Sequence, residues 1–205
     1  MPKGRPREFD TDKALDAALD VFWRKGYEGA SLLDLTEAMG INRPSLYAAF
    51  GNKEQLFRRV IERYVEGPAA CMLKALEEPT ARGVAERLLS ASLEVVADPR
   101  HPRGCLLVQG ALACGETADC VRQELQARRQ ANEAAIRKRF ERAQAEGDLP
   151  PGTEPADLAC FIVTVLRGMA VQAAGGASRQ ELRRIADVAL RAWPKQRKRA
   201  RAFAG

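Results

Sequence analysis

Residues 31–56 read SLLDLTEAMGINRPSLYAAFGNKEQL, and this stretch decides the fold. Its apolar residues recur at spacings of three and four, which predicts short helices over 31–40 and 42–50. Ser31 and Asp34 have the spacing of a capping box with Asp in place of Glu, and Asn42 is a good N-cap with Pro44 in the first turn. The helices are joined by Gly40-Ile41-Asn42. A short turn containing Gly between two short helices is typical of a helix-turn-helix motif.

The same helical period extends over the rest of the chain, so the sequence predicts an all-α fold. A helix over 11–25 comes first, with Gly26 as its stop, and a fourth helix starts after Asn52. Gly67-Pro68 is the next strong punctuation; it is either a hinge or a loop that separates two helices. Further helices are predicted over 69–78, 80–98, 105–114, 118–146, 155–174 and 178–193.

Charge is distributed unevenly along the chain. The 205 residues include 33 Lys and Arg against 27 Asp and Glu, a formal net charge of +6. The last fifteen residues hold six of the basic residues and no acidic one, so residues 1–190 are neutral overall. Positive charge is typical of nucleic-acid-binding proteins, but here it belongs to a tail, 195–205, that we expect to be disordered. Such a tail adds only non-specific, salt-sensitive attraction to DNA.

Composition argues against several classes of protein. Residues 1–20 alternate charged and apolar side chains, so we expect no secretory signal. The most apolar run, 158–166, is nine residues long, well short of the ~20 that cross a bilayer, so we expect no membrane span. Five scattered cysteines favour reduced thiols in the cytoplasm. The sequence has no zinc-ligand spacing, Gly-rich phosphate loop or Gly-x-Ser-x-Gly elbow, so we predict no metal, no cofactor and no enzymatic activity.

Residues 31–56 resemble the DNA-binding segment of the TetR family of bacterial repressors. The family pattern is a hydroxyl residue opening the second helix, a Gly-hydrophobic turn, a Leu-Tyr-x-x-Phe recognition helix and a Lys-Glu-x-Leu start of the fourth helix. The matching residues are Leu46, Tyr47, Phe50, Lys53, Glu54 and Leu56. Ala49, where many members have His, and Asn42-Arg43 depart from the pattern and bear on which operator is read.

The resemblance implies a division of the chain into two functional parts. Residues 1–51 are expected to form an N-terminal three-helix helix-turn-helix DNA-binding domain. Residues 52–194 are expected to form a C-terminal helical domain for ligand binding and dimerisation.

Contacts to double-stranded DNA are predicted at the third helix and around it. Arg43, Ser45 and Ala48 lie on its groove side, where Arg suits guanine and Ala suits a thymine methyl. The resemblance implies phosphate contacts, which fix register rather than sequence, for a further set: Ser31, Asn42, Tyr47 and Lys53. The alternatives are packing against the first helix for Tyr47 and a solvated helix start for Lys53. The arm with Lys3, Arg5 and Arg7 either enters the minor groove or is a disordered terminus.

The last two predicted helices are more apolar than one small core requires. The resemblance implies that they form a four-helix bundle with their copies in a second subunit. The residues predicted at this homodimer interface are Leu158, Ile162, Leu166, Leu182, Ile185, Ala189 and Trp193. A twofold dimer matches a palindromic operator.

The resemblance also places a small-molecule effector pocket between helices drawn from residues 69–174. The candidate lining residues are Met72, Leu76, Leu88, Ser92, Leu107, Gln109, Cys114, Phe161, Val165 and Met169. Their mixture of small and apolar side chains favours an apolar or aromatic effector. The alternative for each is an ordinary core position.

Cys105 follows Gly104 at a predicted helix start, where the helix dipole favours a thiolate. Some TetR-like repressors with Gly-Cys at this helix sense electrophiles or oxidants; the alternative is burial as a small hydrophobe. Our leading hypothesis is a homodimeric repressor released from its operator by a small-molecule effector, and the alternative is a thiol sensor acting through Cys105 on the same scaffold. A helical adaptor that binds only protein would leave the pattern at 42–50 unexplained.

Overall fold

The computed structural model describes residues 9–112 and 119–194. Within these residues the chain forms ten α-helices, one 3-10 turn (Ala75–Glu77) and no strand, which confirms the all-α fold. The helices are α1 (Thr11–Gly29), α2 (Leu32–Met39), α3 (Arg43–Phe50), α4 (Lys53–Glu66), α5 (Ala70–Lys74), α6 (Ala81–Val96), α7 (Leu106–Leu112), α8 (Asp119–Ala145), α9 (Pro155–Ala174) and α10 (Arg179–Arg191). The predicted arm (Lys3, Arg5, Arg7), Cys114 and the tail 195–205 lie outside the described residues.

Side-chain caps define where the N-terminal helices begin. Ser31 and Asp34 form the predicted capping box at the start of α2, and Asn42 caps α3 by accepting from an amide in its first turn. Asn52 caps α4 as predicted, and it also forms a second capping box, with Gln55, that was not predicted. Each cap satisfies an amide that the helix itself leaves unpaired, which fixes the register of these short helices.

Glycines shape the turns between these helices. Gly40 ends α2 in the left-handed region at φ 64° and ψ 28°. Gly51 separates α3 from α4 at φ 76° and ψ −146°, a conformation open essentially to glycine alone. Gly26, at φ 70°, interrupts α1 at the predicted stop, although a further helical turn follows to Gly29.

The first core lies among α1 to α4 and extends to buried residues of α6, α7 and α8. The rings of Phe22 and Phe57 meet edge to face at 4.9 Å between centroids, and those of Trp23 and Tyr64 meet at 4.8 Å. Edge-to-face pairs add about 0.5–1.5 kcal/mol each beyond the area that they bury. Buried residues of α2 and α3 also belong to this core: Leu35, Met39, Leu46 and Phe50.

Helix α4 links the first core to the rest of the molecule. Its Arg63 holds Asp16 of α1 in a two-pronged ion pair, Nε to Oδ1 at 2.7 Å and Nη2 to Oδ2 at 3.0 Å. The helix ends at Glu66, so Gly67-Pro68 breaks the helical run as predicted. Residues of α4 pack in the same core as α1 to α3. The predicted domain boundary between residues 51 and 52 stays a prediction.

The second core lies among α6, α8, α9 and α10. Phe140 of α8 meets Trp193, which follows α10, at 5.4 Å between ring centroids. Arg139 is buried beside this core with 7% of its surface exposed. Its Nε donates to the carbonyl of Leu76 at 3.2 Å and its Nη2 to that of Glu78 at 2.7 Å. The guanidinium therefore holds the end of the 3-10 turn against α8.

Helix α9 is long and apolar enough to cross a membrane by length and composition alone. In this fold it packs instead against α6, α8 and α10. Its inward side chains, among them Ile162, Met169 and Ala173, belong to the second core. This packing accounts for the inward face of α9, while the apolar side chains of Phe161 and Val171 on the same helix stay exposed.

Candidate functional site

The outer face of α3 presents a row of exposed side chains. Arg43, Pro44, Tyr47 and Ala48 are exposed, while Leu46 and Phe50 point inward. Tyr47 keeps 49% of its surface exposed, so it does not pack against α1 in the way that the alternative for this residue required. A guanidinium, a phenol and a methyl group in a row form a surface that suits base edges and phosphates.

Two predicted contact residues are also part of the helix caps. Asn42 accepts from the Ser45 amide through Oδ1 at 2.9 Å. The Ser31 hydroxyl donates to Asp34 Oδ2 at 2.8 Å and accepts from the Asp34 amide at 3.0 Å. These side chains therefore help to orient the starts of α2 and α3.

The Asp34 carboxylate is the centre of a small network at the start of α2. Lys25 Nζ lies 2.6 Å from Asp34 Oδ1. The hydrogen bond from Lys25, followed by those from the Ser31 amide and hydroxyl, lowers the pKa of Asp34 to about 2. The network ties α1 to α2, and at neutral pH it pairs an ionised Asp34 with the Lys25 side chain.

Lys53 is the first residue of α4 and is partly buried. Its Nζ lies 4.6 Å from the centroid of the Tyr27 ring. Burial lowers the pKa of the Lys53 ammonium, and the carboxylates of Glu28 and Asp34 oppose that shift. Lys53 is thus a cation positioned on an aromatic ring and is not the fully solvated helix start that the alternative described.

A cavity of about 140 Å³ lies between α4 and the helices that follow it. Five of the predicted pocket residues line it: Met72, Leu76, Leu88, Ser92 and Leu107. Four others do not: Gln109 lies beside Gly104, Val165 packs against the second core, Met169 is buried in that core, and Phe161 is 38% exposed on the outer side of α9. The assignment of Phe161 failed because α9 is apolar on several faces, and its sequence does not show which face points outward.

The cavity also contains residues that the sequence did not single out. Tyr64 and Val65 of α4 line it, which brings the linking helix into contact with its interior. Arg129 and Asn132 of α8 and Arg167 of α9 lie at the same cavity. A spacing of three places Arg129 and Asn132 on one face of α8, but nothing in the sequence shows that this face meets a cavity.

Cys105 lies where the cavity meets α4. It is half-buried and lines the cavity, and the Tyr64 hydroxyl donates to its Sγ at 3.2 Å. Its carbonyl accepts from the Gln109 amide at 2.9 Å, so Cys105 occupies the N-cap position of α7 as the sequence predicts. Burial strongly raises the pKa of the Tyr64 phenol, and the nearby Cys105 adds to that shift.

The predicted dimer residues divide into two groups. Leu158, Ile162, Leu182, Ala189 and Trp193 are buried in the core of their own chain, and Leu166 lines the cavity. A second subunit cannot cover side chains that are already buried, so those five positions are corrected, whereas Leu166 is half-buried and faces the cavity. Ile185 is exposed as expected, and the other exposed large apolar residues on the same two helices are Phe161, Val171 and Val188.

Two family models match most of this chain. Residues 14–60 match the family model of bacterial regulatory proteins of the tetR family, and residues 85–189 match the tetracyclin repressor-like C-terminal domain. The chain belongs to the TetR family. It is 36% identical over 194 residues to the HTH-type transcriptional repressor ComR of Escherichia coli K12, covering 94% of this chain and 92% of ComR.

Two further TetR-family relatives are similar to this chain. Over 112 residues it is 38% identical to the HTH-type transcriptional repressor BdcR of Escherichia coli K12, covering 52% of this chain and 55% of BdcR. A cysteine mutant of the TetR-family transcriptional regulator CifR, solved with a 26-base-pair double-stranded operator DNA, superposes with a TM-score of 0.88 at 44% identity. That match covers 93% of this chain and 100% of the CifR chain.

Proposed function

We propose that this chain is a repressor that places α3 in the major groove of a palindromic operator. The observation that carries the proposal is the exposed row of Arg43, Tyr47 and Ala48 on a helix that Asn42 caps and α2 braces. The operator complex of CifR supports it, because CifR covers nearly the whole of this chain. In this proposal base edges meet Arg43, Ser45 and Ala48, while phosphates meet Ser31, Asn42, Tyr47 and Lys53. We place the protein in the cytoplasm, where its DNA partner is found.

We propose further that two copies associate through the outer faces of α9 and α10. Phe161, Val171, Ile185 and Val188 expose large apolar side chains on these helices. Exposed apolar patches of this kind mark association surfaces, and a self-complementary surface produces a twofold dimer. A twofold dimer presents two α3 helices to the two half-sites of a palindrome.

Release by an effector is proposed to act through α4. Tyr64 and Val65 of α4 line the cavity. The preceding residue of the same helix, Arg63, forms the ion pair with Asp16 of α1. A ligand that fits one position of α4 better than another shifts the equilibrium between the two. Because coupling is reciprocal, effector and operator then weaken each other's binding by the same factor.

Operator binding tests the first proposal directly. We expect Arg43→Ala and Tyr47→Ala each to weaken binding to the DNA that flanks the protein's own coding region by about 1–3 kcal/mol. Both side chains are exposed, so the melting temperature should stay unchanged. Arg137→Ala is the matched control, since Arg137 is exposed on α8 and pairs there with nearby Glu141. An unchanged footprint and affinity in both variants would contradict the assignment of α3.

A thiol sensor is a second candidate, favoured by the 3.2 Å contact between the Tyr64 hydroxyl and Cys105 Sγ. Adding an electrophile's atoms to Sγ in this space would press directly on α4. Cys105→Ala should then leave operator binding intact and abolish release by an electrophile such as N-ethylmaleimide. Equal release of the variant and the unmodified protein would refute this candidate, and Cys160→Ala, at an exposed cysteine, is the matched control.

A further inference from the structure

The interior of the cavity is apolar and small. Leu88, Val96 and Val163 are buried along its walls. The hydroxyl of Ser92, with 4% of that residue's surface exposed, also lines the cavity, and the Tyr64 hydroxyl there is bonded to Cys105 Sγ. The volume of about 140 Å³ is close to the ~150 Å³ of a cavity that holds one benzene ring. The interior therefore fits one aromatic ring or a short hydrocarbon chain.

The part of the cavity lining that is open to solvent, its rim, carries cations, because Arg129 and Arg167 are half-buried there and Asn132 is exposed. Arg129 and Arg167 line the cavity together with Asn132, and none of the described residues that line it is Asp or Glu. A positive charge beside a partly desolvated space attracts an anion more strongly than the same charge does in open water. The rim thus complements a negatively charged group attached to the apolar body.

The two arginines differ in how they are held. Arg129 donates to the Leu107 carbonyl at 3.1 Å, which fixes it to α7. Arg167 donates through Nη2 to Glu133 Oε2 at 3.3 Å, and each side chain of this pair is more than a third exposed. That hydrogen bond uses one of the five N–H donors of a guanidinium. Exposed ion pairs contribute little free energy, so a ligand carboxylate can compete for Arg167.

We infer that the cavity selects a small organic anion, with a hydrocarbon body of about one ring inside and a carboxylate at the rim between Arg167 and Asn132. This inference rests on the proposed function, since it names the chemical class of the effector for the same cavity. Arg167 is the residue that determines this specificity, and Glu133 is its internal competitor.

Matched pairs of probes test the charge preference in the full-length protein. Isothermal titration calorimetry would compare benzoate, phenylacetate and 3-phenylpropionate, each with its uncharged amide, so that the linker length also varies. We expect at least one carboxylate to bind about tenfold or more tightly than its amide, because a charge-assisted hydrogen bond is stronger than a neutral one. Arg167→Gln should reduce that ratio to near one.

Two further variants test whether the charge at Arg167, and not a general change in charge, controls anion binding. Glu133→Gln removes the competing carboxylate and should tighten binding of the anion while leaving the amide unchanged. Arg137→Gln removes a positive charge from the same helix away from the cavity and should leave the ratio unchanged. Equal binding of carboxylate and amide, no binding of any carboxylate, or an unchanged ratio in Arg167→Gln would each overturn the inference.

Operator release, measured on the same samples, separates this inference from the proposed function. A carboxylate that binds with the expected preference but leaves operator affinity unchanged supports the ligand class and contradicts release through α4. An uncharged compound that fills the cavity and releases the operator supports release and overturns the anion preference.

Discussion

Gly51 lies between α3 and α4, and replacing it should destabilise the fold for two separate reasons, a strained backbone and a steric clash. At φ 76° and ψ −146° an L side chain is strained, which costs about 1–3 kcal/mol. A Cβ at this position would also stand 1.9 Å from Gln55 Oε1, the atom that accepts from the Asn52 amide at 3.0 Å in the capping box. Displacing that oxygen costs about 1 kcal/mol more. Gly51→Ala should therefore lower the free energy of unfolding by about 2–4 kcal/mol.

Gly40→Ala is the matched control for this substitution. Gly40 also has a positive φ, 64°, but an added Cβ there meets nothing within 4 Å. Only the left-handed backbone is penalised, at about 1–2 kcal/mol. Urea unfolding followed by circular dichroism, at one protein concentration, measures both losses.

A double-mutant cycle with Gln55→Ala separates the two costs at Gly51. Without the Gln55 side chain there is no oxygen to displace, so Gly51→Ala should cost about 1 kcal/mol less in that background. Equal losses for Gly51→Ala and Gly40→Ala, together with no coupling to Gln55, would refute the reasoning.

Three more predictions concern charge, burial and assembly. The pKa of Asp34 is about 2 against an ordinary 3.8, so this carboxylate contributes stability that is present above pH 3.8 and lost as pH falls through 2. Asp34→Asn should therefore flatten the decline in melting temperature between pH 4 and pH 2. An unchanged profile of melting temperature against pH would contradict the network around Asp34. Arg139→Ala removes the donors to the carbonyls of Leu76 and Glu78 and should cost about 2–3 kcal/mol in urea unfolding; a loss below 0.5 kcal/mol, roughly the scale of a surface change, would count against its buried role. Val188→Glu places a charge on the proposed dimer face and should yield monomers in sedimentation, whereas a dimer of unchanged stability would move the interface elsewhere.

Local chemistry made the N-terminal helices predictable from sequence. Ser31, Asn42 and Asn52 each accept from the amide three residues away, so their type and spacing determine where each helix begins. Gly40 ends α2 in the left-handed region, where glycine is favoured because it has no Cβ, so its place directly after a helical stretch predicts this turn. The face of α3 was predictable for the same reason, since Leu46 and Phe50 mark the inward side of an eight-residue helix.

Long-range placement was not predictable from the same sequence. Asp16 and Arg63 are 47 residues apart, and nothing local to either residue indicates the pair. Arg139 lies in a stretch of α8 rich in charged residues and gives no sign of burial. The apolar stripe of Leu158 and Ile162 was recognised, but its destination, the chain's own core, depends on how α6 and α8 pack around α9.

The two tryptophans of the chain divide between the two cores, one in each. Trp23 lies against Tyr64 of the linking helix, with the ring of His101 stacked 5.6 Å away, whereas Trp193 lies against Phe140. The molecule thus carries two native optical reporters in separate places. A protein that retains only Trp23 would show, by its emission, changes in the packing of α4 against α1. A protein that retains only Trp193 would report on the second core. Time-resolved emission of the two single-tryptophan proteins after ligand addition would show which core responds first.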